Sequence, residues 1–395
     1  MSEARTEPPA AARERLPTAG PGDAPRTGAR RAAGTRSSRA LARGIGALAL
    51  LVVPQVVALH LLLHVAGPGL HPKAILNTLR QVTPTLALLL AGGTVARLGY
   101  EARRGRLRSY AQTLRDPAWI AASAALLLAG SLTVHAYTYL KLMVPLVHPR
   151  IFDGALWTLD RWLLFGLSPN VFLLTLFSEP PLLRGIDWTY ARFYYPVLLG
   201  FFAFFLPLRS NRLRFAIASG FAGLWLAGSW LYVLVPSLGP CYQFSALWES
   251  AREFLPISHL TQVRLMDNYT KVLRIPEGMS AGAINAAFGV AAFPSLHVAS
   301  QLYVALWTRR LAPRLGFVLL LTVGVLYVGS VVTGWHYMID SVAGLAMAWG
   351  AYRISARAWG LDGFRRGAGR PAAAPALPAP RWPRGGRRRP RSSRE

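Results

Sequence analysis

Apolar runs of about 20 residues recur along most of the chain, each long enough to cross roughly 30 Å of hydrocarbon. They fall near 44–66, 75–96, 119–140, 188–207, 214–236, 292–308, 314–333 and 336–356. The pattern predicts an all-α fold: a polytopic membrane helical bundle of about eight transmembrane helices. The first run lies behind a 43-residue polar tail and is too long for a signal-peptide core, so it reads as a retained helix. Segment 150–178 is too polar to span. Its Ile151, Phe152, Leu156, Leu159 and Leu163 recur at helical spacing against Asp153, Asp160 and Arg161. That predicts an amphipathic helix on the outer surface, closed by Gly166 and Pro169. The longest outer connection, 237–291, carries Trp248, Phe254, Leu255 and Leu260 and predicts a folded cap.

Charge adds sidedness. The formal charge is +27 although only 15% of residues are charged. Residues 1–43 hold nine Arg against four acids, and 357–395 hold eleven against two. Connector 97–116 has six Arg and two acids, and short loops hold Arg209, Arg212 and Arg214 or Arg309, Arg310 and Arg314. Segments 141–187 and 237–291 instead balance four basic with four acidic residues. With eight spans, every Arg-rich segment falls on one side. The positive-inside rule then places both termini in the cytoplasm of a plasma-membrane protein and the balanced loops outside.

Nucleic-acid binding is the rival reading of so basic a chain. The tails are rich in Ala, Pro, Gly and Arg and lack interleaved aromatics. They predict disordered ends touching anionic lipid, with no nucleic-acid partner. Cys241 is the sole cysteine, which excludes an intrachain disulfide and a cysteine zinc cluster. No internal repeat stands out.

Two stretches carry the candidate chemistry: Phe293-Pro294-Ser295-Leu296-His297 and Thr333-Gly334-Trp335-His336-Tyr337-Met338-Ile339-Asp340. Each opens an apolar run, which puts a histidine at the outer mouth of a helix. His336 and Asp340 are four apart and share one helix face, so the carboxylate can hold one ring nitrogen while the other faces a substrate. Pro294 suits a first helical turn, and the amides of Ser295, Leu296 and His297 would then offer a phosphate-binding helix end. Each feature has a plainer alternative. Pro-Ser can simply start a helix, and the His–Asp pair can pin two helices together. His60 and His64, four apart on the first span, could hold a metal or only pack. Gly92, Gly93, Gly220 and Gly223 suit close helix contacts, and His135 and Tyr137 can reach the site or merely pack.

The two stretches resemble the second and third signatures of the type 2 phosphatidic acid phosphatase superfamily. The second reads Pro-Ser-Gly-His, matched by Pro294, Ser295 and His297 with Leu296 in place of glycine. The third ends in histidine and, four residues on, aspartate, matched by His336 and Asp340. The resemblance implies a six-helix catalytic core at 119–356, preceded by two extra helices at 44–118 and flanked by tails 1–43 and 357–395. It makes His336 the nucleophile, Asp340 its orienter and His297 the acid that protonates the leaving group, with no metal or cofactor. The departures matter. Ser330 stands where the third signature has arginine, and the basic first signature is absent, since no Lys or Arg occurs from 215 to 251. The chain reads Pro236-Ser237-Leu238-Gly239-Pro240 there instead. In this the chain is similar to the inositol phosphorylceramide synthase and sphingomyelin synthase branch, which moves phospho-head-groups between lipids.

Phosphate needs countercharge. Ser295 and Leu296 are expected to bind it through the helix end. Arg252, Arg264, Lys271 and Arg274 in the outer loop, and Arg192 among Trp188, Tyr190, Phe193, Tyr194 and Tyr195, are the candidate cations. The expected function is inositol-phosphate-type head-group transfer between lipids of the outer leaflet through a phosphohistidine, in an oligomeric state the sequence leaves open. The alternatives are a lipid phosphate phosphatase with water as acceptor and a proton-coupled transporter using His336 and Asp340 as a relay.

Overall fold

In the computed structural model residues 24–66, 73–277 and 284–361 are described; they form helices and connections, with no strand among them. The tails expected at 1–43 and 357–395 lie largely outside this set. Residues 24–43 belong to a helix rather than to a tail.

Eight long helices build the bundle: α1 (Ala24–Val65), α2 (Lys73–Arg103), α4 (Pro117–Val147), α7 (Pro180–Phe205), α8 (Asn211–Leu234), α11 (Leu296–Leu311), α12 (Pro313–Val332) and α13 (Met338–Ala358), with the short α3 (Leu107–Leu114) between α2 and α4. Each contains one of the eight apolar runs, or most of it. By length and hydropathy α1, α2, α4, α8 and α12 are able to cross a membrane. The other three are shorter or more polar and pack among them. Starts follow local chemistry. Asp116 Oδ1 accepts from the Ala118 amide at 2.9 Å ahead of Pro117, and Ser210 caps α8, each supplying an acceptor to a first-turn N–H.

α8 is central, packing on α1, α4, α11 and α13, while α7 lies across α2, α11 and α12. Phe201, Phe205, Phe215, Phe221, Tyr303 and Trp307 fill the space between them. A side chain at Gly93 would strike the Ala203 carbonyl, and one at Gly220 the Tyr303 hydroxyl, so these two glycines do set helix contacts; Gly92 and Gly223 meet open space or ordinary distances. His60 reaches across to His135, with their Nε2 atoms 3.3 Å apart, and Thr78 Oγ1 lies 3.1 Å from His135 Nδ1. These side chains pack α1, α2 and α4 together, and His135 therefore stays away from the candidate site. Tyr137 packs edge-on against Trp225 with ring centres 4.4 Å apart.

The bundle has two chemically different ends. At one, buried Glu101 accepts from Arg97, Arg106 and Arg209 at 2.9–3.2 Å. Arg212 donates to the Trp359 carbonyl, and Arg214, fully buried, donates to Asn211 Oδ1 and Ser123 Oγ. The connector arginines thus staple helix ends as well as carrying charge. At the other end lie the connections expected on the outside. Segment 150–178 forms two helices rather than one, α5 (Asp153–Leu163) and α6 (Pro169–Leu176). Pro169 does not close the first but opens the second, as residue N1 behind Ser168. The long connection is folded, as α9 (Pro240–Gln243), a 3-10 stretch at Ser245–Phe254 and α10 (Pro256–Leu273). Trp248 and Leu255 are buried beneath it, whereas Leu260 is exposed.

Candidate active site

α12 ends at Val332, and Gly334 turns the chain with φ +76°. A side chain there would press on Trp248 and Cys241, so only glycine fits both the backbone and the space. The turn delivers His336 and Tyr337 to the start of α13. His336 Nδ1 lies 3.3 Å from Asp340 Oδ2; a carboxylate only accepts, so Nδ1 carries the proton and Nε2 keeps its lone pair. Asp340 Oδ2 also accepts from the Tyr337 amide at 2.9 Å, which fixes the carboxylate against its own helix start. The other oxygen, Oδ1, is buried without a protein partner. His336 is 5% exposed and Asp340 0%.

The second stretch meets the first directly. The Ser295 amide donates to the Asp340 carbonyl at 2.9 Å, and α13 comes so close that a side chain at Gly344 would strike the Ser295 carbonyl. α11 starts at Leu296 with Ser295 as its N-cap, so Pro294 precedes the cap instead of occupying the first turn. Of the three amides expected to be free, that of Ser295 is engaged. Those of Leu296 and His297 remain at the helix start, where no intrahelical carbonyl reaches them. Ser295 Oγ is buried and without a protein partner. The leucine that replaces glycine is accommodated by α8, where Gly228 leaves room for the Leu296 side chain. His297 lies with its ring centre 6.4 Å from that of His336, 4.3 Å from Tyr194 and 6.0 Å from Tyr190.

Aspartates from the outer helices hold this arrangement, and sequence reasoning missed them. Asp160 of α5 accepts from the Met338 and Ile339 amides at 2.6 and 2.9 Å, capping α13 from another element. Burial pushes its carboxyl up to about 6 against these two amides, and Asp340 adds to the rise. Asp153 accepts from the Leu238 and Gly239 amides and from the Tyr337 hydroxyl at 2.8–2.9 Å. Asn170 of α6 donates to the Val331 and His336 carbonyls. Asp187 of α7 accepts from Ile257 and Ser258, capping α10. Asp153 and Asp160 are fully buried beside Leu156, while Leu159, Arg161 and Trp162 are exposed, so the two acids face the protein. Two acids seven apart share one helix face, and that spacing was the available signal.

The segment standing where basic residues were absent proves to be a bracket. Ser237 accepts from the Ala292 amide through its carbonyl and from the Phe293 amide through its hydroxyl, both at 2.9 Å. The Cys241 amide donates to the Gly334 carbonyl at 2.9 Å. Residues 237–241 therefore tie both histidine-bearing stretches together.

The expected cations are placed elsewhere. Arg192 is exposed on α7, on the opposite face from Tyr190 and Tyr194, which are the residues that flank His297. Lys271 pairs with Asp267 at 2.7 Å and Arg274 with Glu277 at 3.6 Å. Arg264 is exposed on α10, and Arg252 donates to the Ser245 carbonyl at 3.3 Å. A cation the sequence did not single out is Lys141 of α4, whose ammonium lies over the rings of Tyr137 and Tyr232 at 6.0 and 5.6 Å; Tyr137 packs on Trp225, whose indole donates to Ser300 on the helix of His297. It was not a candidate because it follows directly on the run drawn at 119–140.

This arrangement can hold a tetrahedral anion between a nucleophilic nitrogen and a proton-carrying one. Neither the curated proteins nor the solved structures give a match to the chain. Residues 154–354, just over half of the chain, match the PAP2 superfamily, and both histidine-bearing stretches lie within the matched region. The chain belongs to the PAP2 superfamily, whose members are generally phosphatases and phosphotransferases.

Proposed function

We propose that the protein transfers a phosphate-bearing head group, of the inositol-phosphate type, between lipids at the outer face of a plasma membrane. The observation that carries the transferase reading is the burial of the His336–Asp340 pair beside the helical connection 237–277, which donates to the carbonyls of Val332, Thr333 and Gly334. His336 Nε2 attacks phosphorus and expels the donor's alkoxide, which takes a proton from His297. The N–P bond of the resulting phosphohistidine is then broken by an acceptor alcohol, deprotonated by His297, and His336 is regenerated. A buried site with aromatic walls keeps water from the phosphohistidine until the acceptor arrives.

The test is acceptor dependence. Purified enzyme given a phospholipid donor should turn over only with an added lipid alcohol or polyol, and phosphodiester product should exceed free phosphate. Rapid phosphate release from a phosphomonoester without any acceptor, undiminished by added alcohols, would decide for a phosphatase.

The outward orientation rests on charge. The Arg-rich connectors and the histidines occupy opposite ends of the bundle, and the basic end belongs inside. A Thr261→Cys variant should label with a membrane-impermeant thiol reagent in intact cells. The background is Cys241→Ala; the native thiol is buried, and burial pushes its pKa up. Labelling only after permeabilisation would reverse the orientation.

A further inference from the structure

A phosphoryl site without the basic first signature, and with Ser330 in place of arginine, must draw its positive charge from elsewhere. Lys141 lies near the outer end of α4, before the region that matches the family. An ordinary lysine at that depth would extend its stem toward the headgroups. This one does not. Its ammonium lies 6.0 Å from the ring of Tyr137, one turn back on α4, and 5.6 Å from the ring of Tyr232 on α8. The side chain therefore folds back toward the helix N-terminus and into the bundle, the direction in which helical side chains lean. Tyr137 is braced by Trp225, whose indole donates to Ser300 one turn below His297. The backbone of 141–142 is also the surface on which the approach to the second stretch rests, since a side chain at Gly289 would come within 2.9–3.0 Å of it.

Among the described residues no carboxylate lies within ion-pair distance of Lys141. An intramembrane cation kept without a counter-ion is expensive unless an anion arrives to pair with it. The groups on the same side that want an anion are the Ser295 hydroxyl, buried and unpartnered, and the first-turn amides of Leu296 and His297.

We propose that Lys141 is the phosphate-binding cation of this site, supplied by a helix outside the family-matched region, and that one cation there selects monoanionic phosphodiesters over dianionic phosphomonoesters. This rests on the phosphoryl-transfer reading above. A phosphodiester carries one negative charge, which one ammonium neutralises. A phosphomonoester at neutral pH carries nearly two, and the second would be left in a poorly solvated site.

The test uses the full-length protein in detergent with orthovanadate, a phosphate mimic, as the ligand. Lys141→Met keeps length and removes charge; Lys141→Arg keeps the charge. Lys141→Met should weaken vanadate inhibition at least about 30-fold and lower kcat/KM for a nitrophenyl alkyl phosphodiester about 100-fold, the scale of losing a charge-assisted contact to a buried anion. Its melting temperature should hold within a few degrees, because the half-buried charge that is removed has no carboxylate partner. Lys141→Arg should recover at least a tenth of wild-type kcat/KM. Wild type should prefer the diester to nitrophenyl phosphate. Vanadate inhibition of Lys141→Met within threefold of wild type overturns the assignment, as does a fall in melting temperature with no rescue by arginine, which marks a structural lysine. A wild-type preference for the monoester overturns the selectivity alone. Wild type that neither turns over nor responds to vanadate overturns the phosphoryl-transfer reading itself, and Lys141 with it.

Discussion

His336→Ala should abolish turnover, by about 10⁴-fold or more, while the protein still reaches the membrane and keeps its melting temperature within a few degrees. The expectation follows from the tautomer. Asp340 holds the Nδ1 proton, so Nε2 is the nucleophilic nitrogen, and alanine removes it without touching the clamps at Asp153 and Asp160. Asp340→Asn provides a sharper version of the same argument. The oxygen that accepts from Nδ1 also accepts from the Tyr337 amide, so the asparagine oxygen keeps both contacts and its NH₂ takes the Oδ1 position, which has no protein partner. What is lost is the negative charge that stabilises the positive ring formed when Nε2 attacks phosphorus. A fall of about 10²–10⁴-fold with little change in stability is expected. Wild-type turnover in a well-expressed His336→Ala variant would sink the assignment.

The parts of this site that were legible in the sequence are those whose partners are close in the chain. His336 and Asp340 are one helical turn apart, so spacing alone pairs them. The eight apolar runs likewise predict their own helices, because spanning length and hydropathy are local properties. What was not legible depends on packing between distant elements. Asp160 caps a helix 178 residues downstream, and no local pattern announces a cap supplied from another helix. On α5 the amphipathic pattern predicts a surface helix but not which side its acids face. Beside a membrane Leu159 and Trp162 face outward, and the acids turn in to meet backbone amides that would otherwise go unpaired. Arg192 shows a different failure. Helical periodicity alone separates residue 192 from 190 and 194, so the two aromatics that reach His297 are on the far side of α7, while Trp188 and Tyr195 share the exposed face of Arg192. Lys141 was hidden by the convention of ending a span before its first charge. Only the packing of α4 on α8, and the folding of its stem toward Tyr232, turns it inward.

His297→Ala should harm poor leaving groups far more than good ones. His297 faces the nucleophile across a ring separation of 6.4 Å. It is walled by Tyr194 and Tyr190 rather than by a carboxylate. The size of its contribution depends on how much negative charge the departing oxygen carries in the transition state. An alkoxide leaving from a lipid is strongly basic and needs the proton; a nitrophenolate is weakly basic and leaves without it. Loss of about 10²–10⁴-fold is therefore expected on an alkyl phosphodiester, against less than about tenfold for the first step on a nitrophenyl phosphodiester. Burst kinetics on the nitrophenyl substrate separate the two steps. Formation of the phosphohistidine should stay fast in His297→Ala, whereas its transfer to the acceptor alcohol should slow, because that half-reaction has lost its base. Equal losses on both substrates, with no burst, would mean that His297 only supports the fold around His336.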